Sequence, residues 1–309
     1  MNKDIRFYDI LFGEKSPWYI YQKDPYEEKI KKASFLIENS DVIIIGAGSG
    51  LSTAAGLSHS GKRFEENFSE YINKYTKKYF PDMYNACFYP FSTEEEKWGY
   101  FSKLSLINRF IPPALPLYKK LYELVSKKDY FVLTTNVDHQ FQKSGFDENK
   151  IFATQGDYGE IQCSKNCHNK AYQAEELFYK MDRERKDCLI PSYLVPTCPI
   201  CNGSMEMHLR IDINFAEDEN FHKSLNNYVS FLSNNIKKKV ALIELGAGFS
   251  TPSIIRFPFE KLARENEEFS FIRINKREPL VPECINNRAV SFPEDMLQVI
   301  DDLIGARNE

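Results

Sequence analysis

Apolar residues along the chain form four short, nearly continuous runs, separated by segments with helical periodicity. The runs cover residues 42–45, 130–135, 240–245 and 269–274. Continuous rather than alternating apolar runs are typical of strands that are covered on both faces. The pattern therefore predicts four buried parallel strands.

Amphipathic helical patterns lie between these runs. One precedes the first run, over 26–39, and the last helix is predicted to open at Pro293, a favourable first-turn position. The apolar positions of the other patterns are Leu117, Leu121, Leu124 and Val125; Phe221, Leu225, Tyr228, Leu232 and Ile236; and, after Pro293, Met296, Leu297, Ile300 and Ile304. Strands that alternate with helices predict an α/β fold with a doubly wound, parallel, Rossmann-like sheet.

Two segments interrupt this alternation. Residues 58–113 are aromatic, charged and largely helical in pattern, whereas residues 156–215 carry cysteines and are rich in predicted loops. We predict that these two insertions together form a smaller module over the sheet edge. The Rossmann-like domain then consists of residues 26–57, 114–155 and 216–309, and residues 1–25 form an N-terminal extension.

Composition narrows the classes of function. Of 309 residues, 42% are hydrophobic, and 40 Lys and Arg against 44 Asp and Glu give a formal net charge of −4. This balance argues against a general nucleic-acid binder. No segment approaches the ~20 apolar residues of a membrane helix, and the N-terminus lacks a signal-peptide core. We therefore expect a cytoplasmic protein whose seven cysteines are thiols, metal ligands or catalytic groups.

Each predicted strand ends in small or polar residues, in the order "GAGSG", "TNVD", "GAGFST" and "NKRE". Ligands of open parallel sheets bind just outside the carboxyl ends of the strands. The four ends therefore predict one ligand crevice, although loops are often polar without binding anything.

The first glycine loop does not match the hydride-transfer fingerprint. Gly46 and Gly48 fit that pattern, but Leu51 occupies the third glycine position. No second strand with a terminal acidic residue follows, and the candidates Glu65 and Glu66 lie in a polar stretch. A dehydrogenase is disfavoured. The glycines can let backbone amides approach a pyrophosphate, or they can be ordinary turn glycines.

Two cysteine pairs indicate a metal site. Cys163 and Cys167 form a C-x3-C pair, and Cys198 and Cys201 form a C-x2-C pair. Paired cysteines on two tight turns are typical of tetrahedral, structural zinc sites without an open position for water. His168 is adjacent to Cys167 and could replace one thiolate. The other cysteines are expected to be buried or incidental thiols, with Cys284 placed near a bound cofactor.

The order of the motifs resembles that of sirtuins. "GAGSGLSTAAGL", "TTNVDHQF", "QGDYG", the two cysteine pairs and "ELGAGFSTP" follow one another over roughly residues 40–276. Three motifs depart from the usual pattern: "TTNVD" replaces T-Q-N-x-D, "GLSHSGKRF" replaces G-I-P-D-F-R, and Gln155 replaces the histidine of H-G. These departures are similar to those of the macrodomain-linked class M sirtuins of bacteria and fungi.

The resemblance implies that NAD is consumed as a donor of ADP-ribose, and it favours four cysteines over His168 as zinc ligands. It implies that Asn136, Asp138 and Gln155 surround the reacting ribose, bind the cofactor there and act in catalysis. The other implied cofactor-binding residues are Gly46, Ala47, Gly48, Ser52, Gly56, Arg63, Phe64, Gly246, Gly248, Ser250, Asn275 and Cys284. Alternatively, Asn136 and Asp138 only cap a turn, and Gln155 and Arg63 are ordinary surface side chains.

Gln155 changes the expected chemistry. The histidine of deacylating sirtuins acts as a general base, whereas an amide cannot accept a proton near neutral pH. Deacylation should therefore be severely weakened. Cleavage of the nicotinamide–ribose bond has oxocarbenium character and can rely on positioning and burial.

The resemblance therefore predicts a protein ADP-ribosyltransferase. Its acceptor would be a carrier protein, typically a lipoyl-carrying relative of the glycine-cleavage H protein, and residues 58–113 are a candidate docking surface. A functional link to an ADP-ribose-removing macrodomain protein is implied as well.

The alternatives are an NAD-dependent deacylase with another base, an NAD glycohydrolase, and a non-catalytic sensor of NAD or ADP-ribose. Among the histidines, His139 lies closest in sequence to the predicted site.

Overall fold

The computed structural model describes residues 18–307 of the protein. Its strands are β1 (Tyr19–Ile20), β2 (Val42–Ala47), β3 (Asp129–Thr134), β4 (Ile151–Ala153), β5 (Gly156–Cys163), β6 (Ala171–Gln173), β7 (Met205–Leu209), β8 (Val240–Leu245), β9 (Phe269–Ile274), β10 (Val281–Pro282) and β11 (Ala289–Phe292).

Its α-helices are α1 (Tyr26–Glu38), α2 (Ser49–Ala54), α3 (Lys62–Tyr75), α4 (Met83–Ala86), α5 (Glu94–Ser105), α6 (Pro116–Val125), α7 (Gln140–Lys143), α8 (Glu175–Glu184), α9 (Glu219–Asn235), α10 (Arg256–Glu265) and α11 (Met296–Ala306). A π-helix, Leu106–Phe110, continues α5, and short 3₁₀ helices cover Glu148–Lys150, Ser192–Leu194 and Glu283–Arg288.

The central sheet has six parallel strands in the order β11–β9–β8–β2–β3–β4. Ala47 at the end of β2 is aligned with Thr134 of β3 and with Leu245 of β8. The carboxyl ends of these three strands therefore meet at one edge, which is where a parallel sheet binds its ligands. The predicted α/β fold with a parallel sheet is confirmed.

Helices cover both faces of this sheet. Ile43 and Ile45 of β2 pack in a hydrophobic cluster with α1, α6 and α11, whereas Val42 and Ile44 pack in a second cluster with α9 and α10. Successive side chains of a strand point to opposite faces, so a strand buried on both faces is apolar at every position. This burial explains the continuous apolar runs of the sequence.

Several element boundaries differ from the prediction. The last helix begins at Met296 rather than Pro293, because the Asp295 carboxylate caps it by accepting from the backbone N–H groups of Leu297 and Gln298. The strand predicted over 130–135 covers 129–134. The edge strands β4 and β11 were not predicted, since three or four residues make too short an apolar run.

A second, smaller sheet has the antiparallel order β6–β5–β7. Residues 156–215 are rich in loops, as predicted, but they also contain this sheet and α8, which were not predicted. The strands of this sheet contain buried polar residues, so they do not appear as apolar runs in the sequence. Gln162, for example, is buried, and its amide donates to Glu206 and to the carbonyl of Asn214. Hydropathy alone therefore underestimates how buried β5 is.

An aromatic cluster joins this sheet to the helices before it. Phe64, Phe68 and Tyr71 of α3 share the cluster with Trp98 of α5 and Phe178 of α8. The proposed domain boundaries stay a prediction. Residues 19–20 of the predicted extension pair with β10, while residues 1–17 lie outside the described part of the chain. Within residues 18–307, no helix is both long and apolar enough to cross a membrane.

Candidate active site and metal centre

The glycine loop between β2 and α2 lies directly against the loop after β8. The backbone N–H of Gly48 donates to the carbonyl of Leu245 at 3.0 Å, and that of Gly50 donates to Gly246 at 3.1 Å. A Cβ atom on Gly50 would lie 2.7 Å from the Cα atom of Gly246. Glycine is therefore required here for contact between two backbones, which is the structural alternative raised by the sequence. Contact with a pyrophosphate stays a prediction.

Three other predicted residues of this loop have local structural explanations. Gly46 packs against Phe259 of α10, where a Cβ atom would lie 2.6 Å from the ring. Ala47 is buried, and its carbonyl accepts from the backbone N–H of Thr135 at 3.0 Å. Gly56 has a φ of 101° and ends the turn after α2, a backbone conformation that favours glycine.

The loops after β8 and β9 are joined by Asn275. Its Nδ2 donates to the carbonyl of Ala247 at 3.0 Å, and its Oδ1 accepts from the backbone N–H of Glu278 at 3.0 Å. Gly248 is half-buried, and Ser250 is exposed. A Cβ atom on Gly248 would meet only the Glu278 carboxylate, at 3.7 Å. This part of the sheet edge is therefore open to a ligand.

Ser52, Asn136 and Asp138 meet in one hydrogen-bonded cluster at the same edge. Ser52 Oγ donates to Asp138 Oδ2 at 2.5 Å, and the backbone N–H of Gln140 donates to Asp138 Oδ1 at 3.0 Å. Tyr118 completes the cluster: its hydroxyl donates to Asp138 Oδ2 at 3.4 Å and accepts from Asn136 Nδ2 at 3.3 Å. Tyr118 was not predicted from the sequence, because it lies among the apolar residues of α6 although its side chain ends in a hydroxyl.

The cluster places a carboxylate in a water-poor environment. Asp138 and Asn136 are nearly buried, with exposed fractions of 5% and 9%. Burial raises the pKa of the Asp138 carboxyl, although the hydrogen bonds from Ser52 and Gln140 partly oppose this. Burial also raises the pKa of Tyr118. An anion in such surroundings interacts strongly with a positive charge that develops nearby.

Gln155 lies on a segment that runs beside the Asn136 loop. The backbone N–H of Thr154 donates to Thr134 at 2.9 Å, and that of Tyr158 donates to Val137 at 3.0 Å. Gln155 is half-buried, and its side chain has no hydrogen-bond partner among residues 18–307. The amide is therefore available to a ligand.

An ion-paired group that sequence analysis did not find lies next to this segment. His139 Nδ1 is 2.8 Å from Asp157 Oδ2, and Arg109 Nε donates to Asp157 Oδ1 at 2.6 Å. Burial raises the pKa of Asp157, but His139 and Arg109 more than offset this, so that its pKa is lowered overall. His139 alone was noted from the sequence, because nothing there places Arg109 nearby.

The side chains of two other predicted cofactor residues, Arg63 and Phe64, make contacts within the protein. The Arg63 guanidinium donates to Asn108 Oδ1 at 2.8 Å and to the carbonyl of Ser58 at 3.0 Å. Phe64 is buried in the aromatic cluster. Cys284 is exposed on the 3₁₀ helix that follows β10. Cofactor contacts by these residues stay predictions.

The four cysteines of the two pairs converge at one end of the small sheet. Their Sγ atoms lie within 4.8 Å of one another, with Cys163 and Cys201 at 3.7 Å and Cys167 and Cys198 at 3.6 Å. Tetrahedral zinc with Zn–S bonds of about 2.3 Å separates its sulfurs by about 3.8 Å. The thiol positions therefore fit a zinc ion.

His168 flanks this cluster. Its Nδ1 is 3.1 Å from Cys167 Sγ, and its Nε2 contacts the Tyr172 hydroxyl at 2.7 Å. Because the four cysteines already supply four sulfurs, His168 is placed to contact one of these sulfurs rather than to replace it.

No protein-family model matches the chain. It is similar to a Staphylococcus aureus protein named protein ADP-ribosyltransferase, with 35% identity over 278 residues that cover 89% of this chain and 87% of that protein. It is also similar to a Fusarium oxysporum protein named probable bifunctional ADP-ribose hydrolase/ADP-ribosyltransferase, with 27% identity over 90% of this chain and 48% of that protein. The chain thus spans about half the length of the Fusarium protein.

Solved structures with a similar fold are Sir2 enzymes. A Sir2 enzyme bound to a propionylated peptide has a TM-score of 0.53 and 18% identity, covering 91% of this chain and 99% of that one. A Sir2 complex with a p53 peptide and NAD⁺ has a TM-score of 0.51 and 17% identity, covering 89% and 96%. At these identities, the comparisons establish the fold.

Proposed function

Since the chain belongs to the protein ADP-ribosyltransferases and has the sirtuin fold, we propose that it modifies a carrier protein, typically one that bears a lipoyl group. Its activity is NAD-dependent transfer of ADP-ribose. One observation carries the proposed mechanism: the cluster around Asp138 is complete, while an amide stands at position 155. Such a site can cleave a glycosidic bond without an imidazole at that position.

In this proposal, Asp138 stabilises the positive charge that forms on ribose when its bond to nicotinamide breaks. The carboxylate is suited to this role because Ser52 and the Gln140 N–H hold it in place before the reaction. Asn136 is oriented through Tyr118, which leaves its amide oxygen for the nicotinamide carboxamide.

Gln155 has a binding role in this mechanism. Its amide can donate to, and accept from, a ribose hydroxyl, but it cannot remove the proton of that hydroxyl. Deacylation that depends on a base at position 155 is therefore slow, whereas transfer of ADP-ribose to another nucleophile is not affected. This difference separates the proposed function from that of a deacylase.

The predicted cofactor contacts divide into two groups. The open edge at Gly248 and Ser250 faces solvent and is proposed to hold the phosphates and adenosine of NAD. Gly46 and Gly246 instead make close packing contacts in the loops that form this edge. The zinc ion that we propose at the four cysteines is structural and leaves no position for substrate.

Exposed apolar side chains close to Gln155 support a protein acceptor. The backbone N–H of Arg210 donates to the Gln155 carbonyl, and Ile211 and Ile213 follow with exposed fractions of 62% and 99%. Phe88 in the 58–113 segment is also exposed. Exposed apolar groups beside a site favour contact with another protein.

The Fusarium relative is named as both an ADP-ribose hydrolase and an ADP-ribosyltransferase, which supports a functional link to a hydrolase that removes ADP-ribose.

The proposal is tested with NAD labelled in its adenylate part. Purified enzyme is incubated with cell extract, or with lipoylated and unlipoylated carrier protein. Label on protein, release of nicotinamide and loss of acetyl from a lysine peptide are measured. We expect protein labelling that depends on Asn136 and falls by about 100-fold or more in Asn136→Ala.

The alternatives give different results in the same assay. Deacetylation at ordinary enzyme rates would overturn the transferase assignment in favour of a deacylase. Nicotinamide release without labelled protein indicates a glycohydrolase, and binding of NAD without turnover indicates a sensor. A preference for unlipoylated carrier would refute the proposed acceptor alone.

A further inference from the structure

The proposed function leaves the ion-paired group at His139 without a role. We propose that His139 Nε2 accepts the proton of the acceptor nucleophile, and that Asp157 and Arg109 position the imidazole for this step. The inference rests on the proposed function, because it concerns the second substrate of the same site.

The hydrogen bonds fix the tautomer of His139. Arg109 and the backbone N–H of Gly159 both donate to Asp157 Oδ1 at 2.6 Å, and the pKa of Asp157 is lowered. An ionised carboxylate can only accept hydrogen bonds, so Nδ1 of His139 must be the donor. In the neutral ring, Nε2 then carries the free lone pair, and it has no hydrogen-bond partner among residues 18–307.

Arg109 is itself held rigidly. It lies on the π-helix, a turn type that is frequent at functional sites. Lys143 Nζ donates to the carbonyls of Arg109, Phe110 and Pro112 and so fixes the end of this helix. Arg109 thus positions the Asp157 carboxylate, which in turn orients the His139 imidazole. A proton acceptor that is oriented by a third group in this way is typical of general-base sites.

His139 is also placed beside the reacting groups. It directly follows Asp138 and has a φ of 62°, a left-handed conformation that is uncommon outside glycine, although Asn, Asp and His adopt it more often than other residues. Its side chain is 24% exposed, so the ring is accessible from solvent while Nδ1 faces the partly buried Asp157. Gln155 lies two residues before Asp157 and is also half-buried.

The proton balance of the reaction requires such a group. The nucleophile X–H forms a bond to the ribose carbon, and the bond from that carbon to nicotinamide breaks. Nicotinamide leaves with the electron pair as a neutral molecule, and the proton of X–H passes to Nε2. The resulting imidazolium is stabilised by Asp157 and returns its proton to solvent.

The charged groups around His139 are Asp157 on β5, Arg109 on the π-helix, and Asp138 and Lys143 on its own loop and helix.

The test uses His139→Gly, which accepts the left-handed backbone and leaves space for free imidazole, and His139→Asn, which keeps a donor toward Asp157. His222→Asn, an exposed histidine on α9, is the matched control. For each protein, NAD affinity, nicotinamide release, and labelled product on protein or in solution are measured with and without added imidazole.

We expect both His139 variants to bind NAD normally but to form product about 100-fold more slowly or worse. Millimolar imidazole should restore part of the rate in His139→Gly only. Wild-type rates in His139→Gly, or a loss that imidazole does not restore, would overturn the inference. If the wild type releases no nicotinamide, the proposed function itself fails.

Discussion

At the scale of single residues, the carboxyl pKa values of two aspartates near the site are shifted in opposite directions. Burial raises the pKa of Asp138, whereas His139 and Arg109 outweigh burial and lower that of Asp157. A raised carboxyl pKa means that the folded state favours the protonated form, so ionised Asp138 costs stability at neutral pH. A lowered pKa means that ionised Asp157 stabilises the fold.

We predict that Asp138→Asn abolishes most activity without loss of stability. Nicotinamide release should fall on the order of 100-fold, because the anion is gone. The free energy of unfolding should stay equal or rise, because the change removes a buried charge that hydrogen bonds compensate only in part. Chemical denaturation at neutral pH and a nicotinamide assay measure the two effects.

The matched variant Asp157→Asn should lower the free energy of unfolding under the same conditions. It removes a charge on which Arg109 depends, and the stability that this charge supplies in the wild type is lost as the pH falls through the lowered pKa. Equal stability changes in both variants would contradict this account of the two sites.

At the scale of elements, two glycine loops at the ends of β2 and β8 act as one unit. Their backbones are in contact and are joined by hydrogen bonds from Gly48 and Gly50. This contact requires a residue without a side chain at Gly50 and Gly246. The loop that forms the edge of the site is therefore set by packing between strands as well as by its own sequence.

Gly246→Ala is predicted to destabilise the protein by about 2 kcal/mol or more. Its new Cβ atom would lie 2.5 Å from Gly50 Cα, and Gly246 has a φ of 60°. Gly305→Ala in α11 is the control, since nothing lies within 4 Å of its Cβ position. That change should raise stability by up to about 1 kcal/mol. Thermal unfolding of both variants measures these stability changes, and equal stability of the two variants would contradict the prediction.

At the scale of the whole molecule, the central sheet and the small sheet have separate hydrophobic clusters. The aromatic cluster includes Cys163 and Cys198 together with Trp98, whereas the central strands pack in two other clusters. A metal ion at the four cysteines would therefore stabilise the small sheet in particular, because the free energy of binding is gained only when that sheet is folded.

Cys198→Ser should remove about one zinc ion per chain and open the aromatic cluster. Trp98 is fully buried and Trp18 is 65% exposed, so a red shift of tryptophan emission reports on Trp98. Zinc content and tryptophan fluorescence are measured. Cys284→Ser is the control, which should change neither the zinc content nor the emission. Full zinc content in Cys198→Ser would rule out the proposed metal site.

The sequence by itself determined the parallel sheet and the cysteine cluster, and it predicted a ligand crevice at the edge of the sheet. These features depend on local patterns: continuous apolar runs, strand ends and paired cysteines. The sequence also supplied Ser52, Asn136 and Asp138, which the structure brings into hydrogen-bonding contact, although their catalytic roles remain predictions.

Only the tertiary structure decided which distant side chains complete the site. Tyr118 reaches Asp138 across 20 residues, and Arg109 reaches Asp157 across 48 residues. No periodicity encodes such pairs, because each depends on how a helix is placed against a strand end. The same reason applies to Phe64 and Arg63, whose directions are set by the aromatic cluster and the π-helix rather than by the motif that contains them.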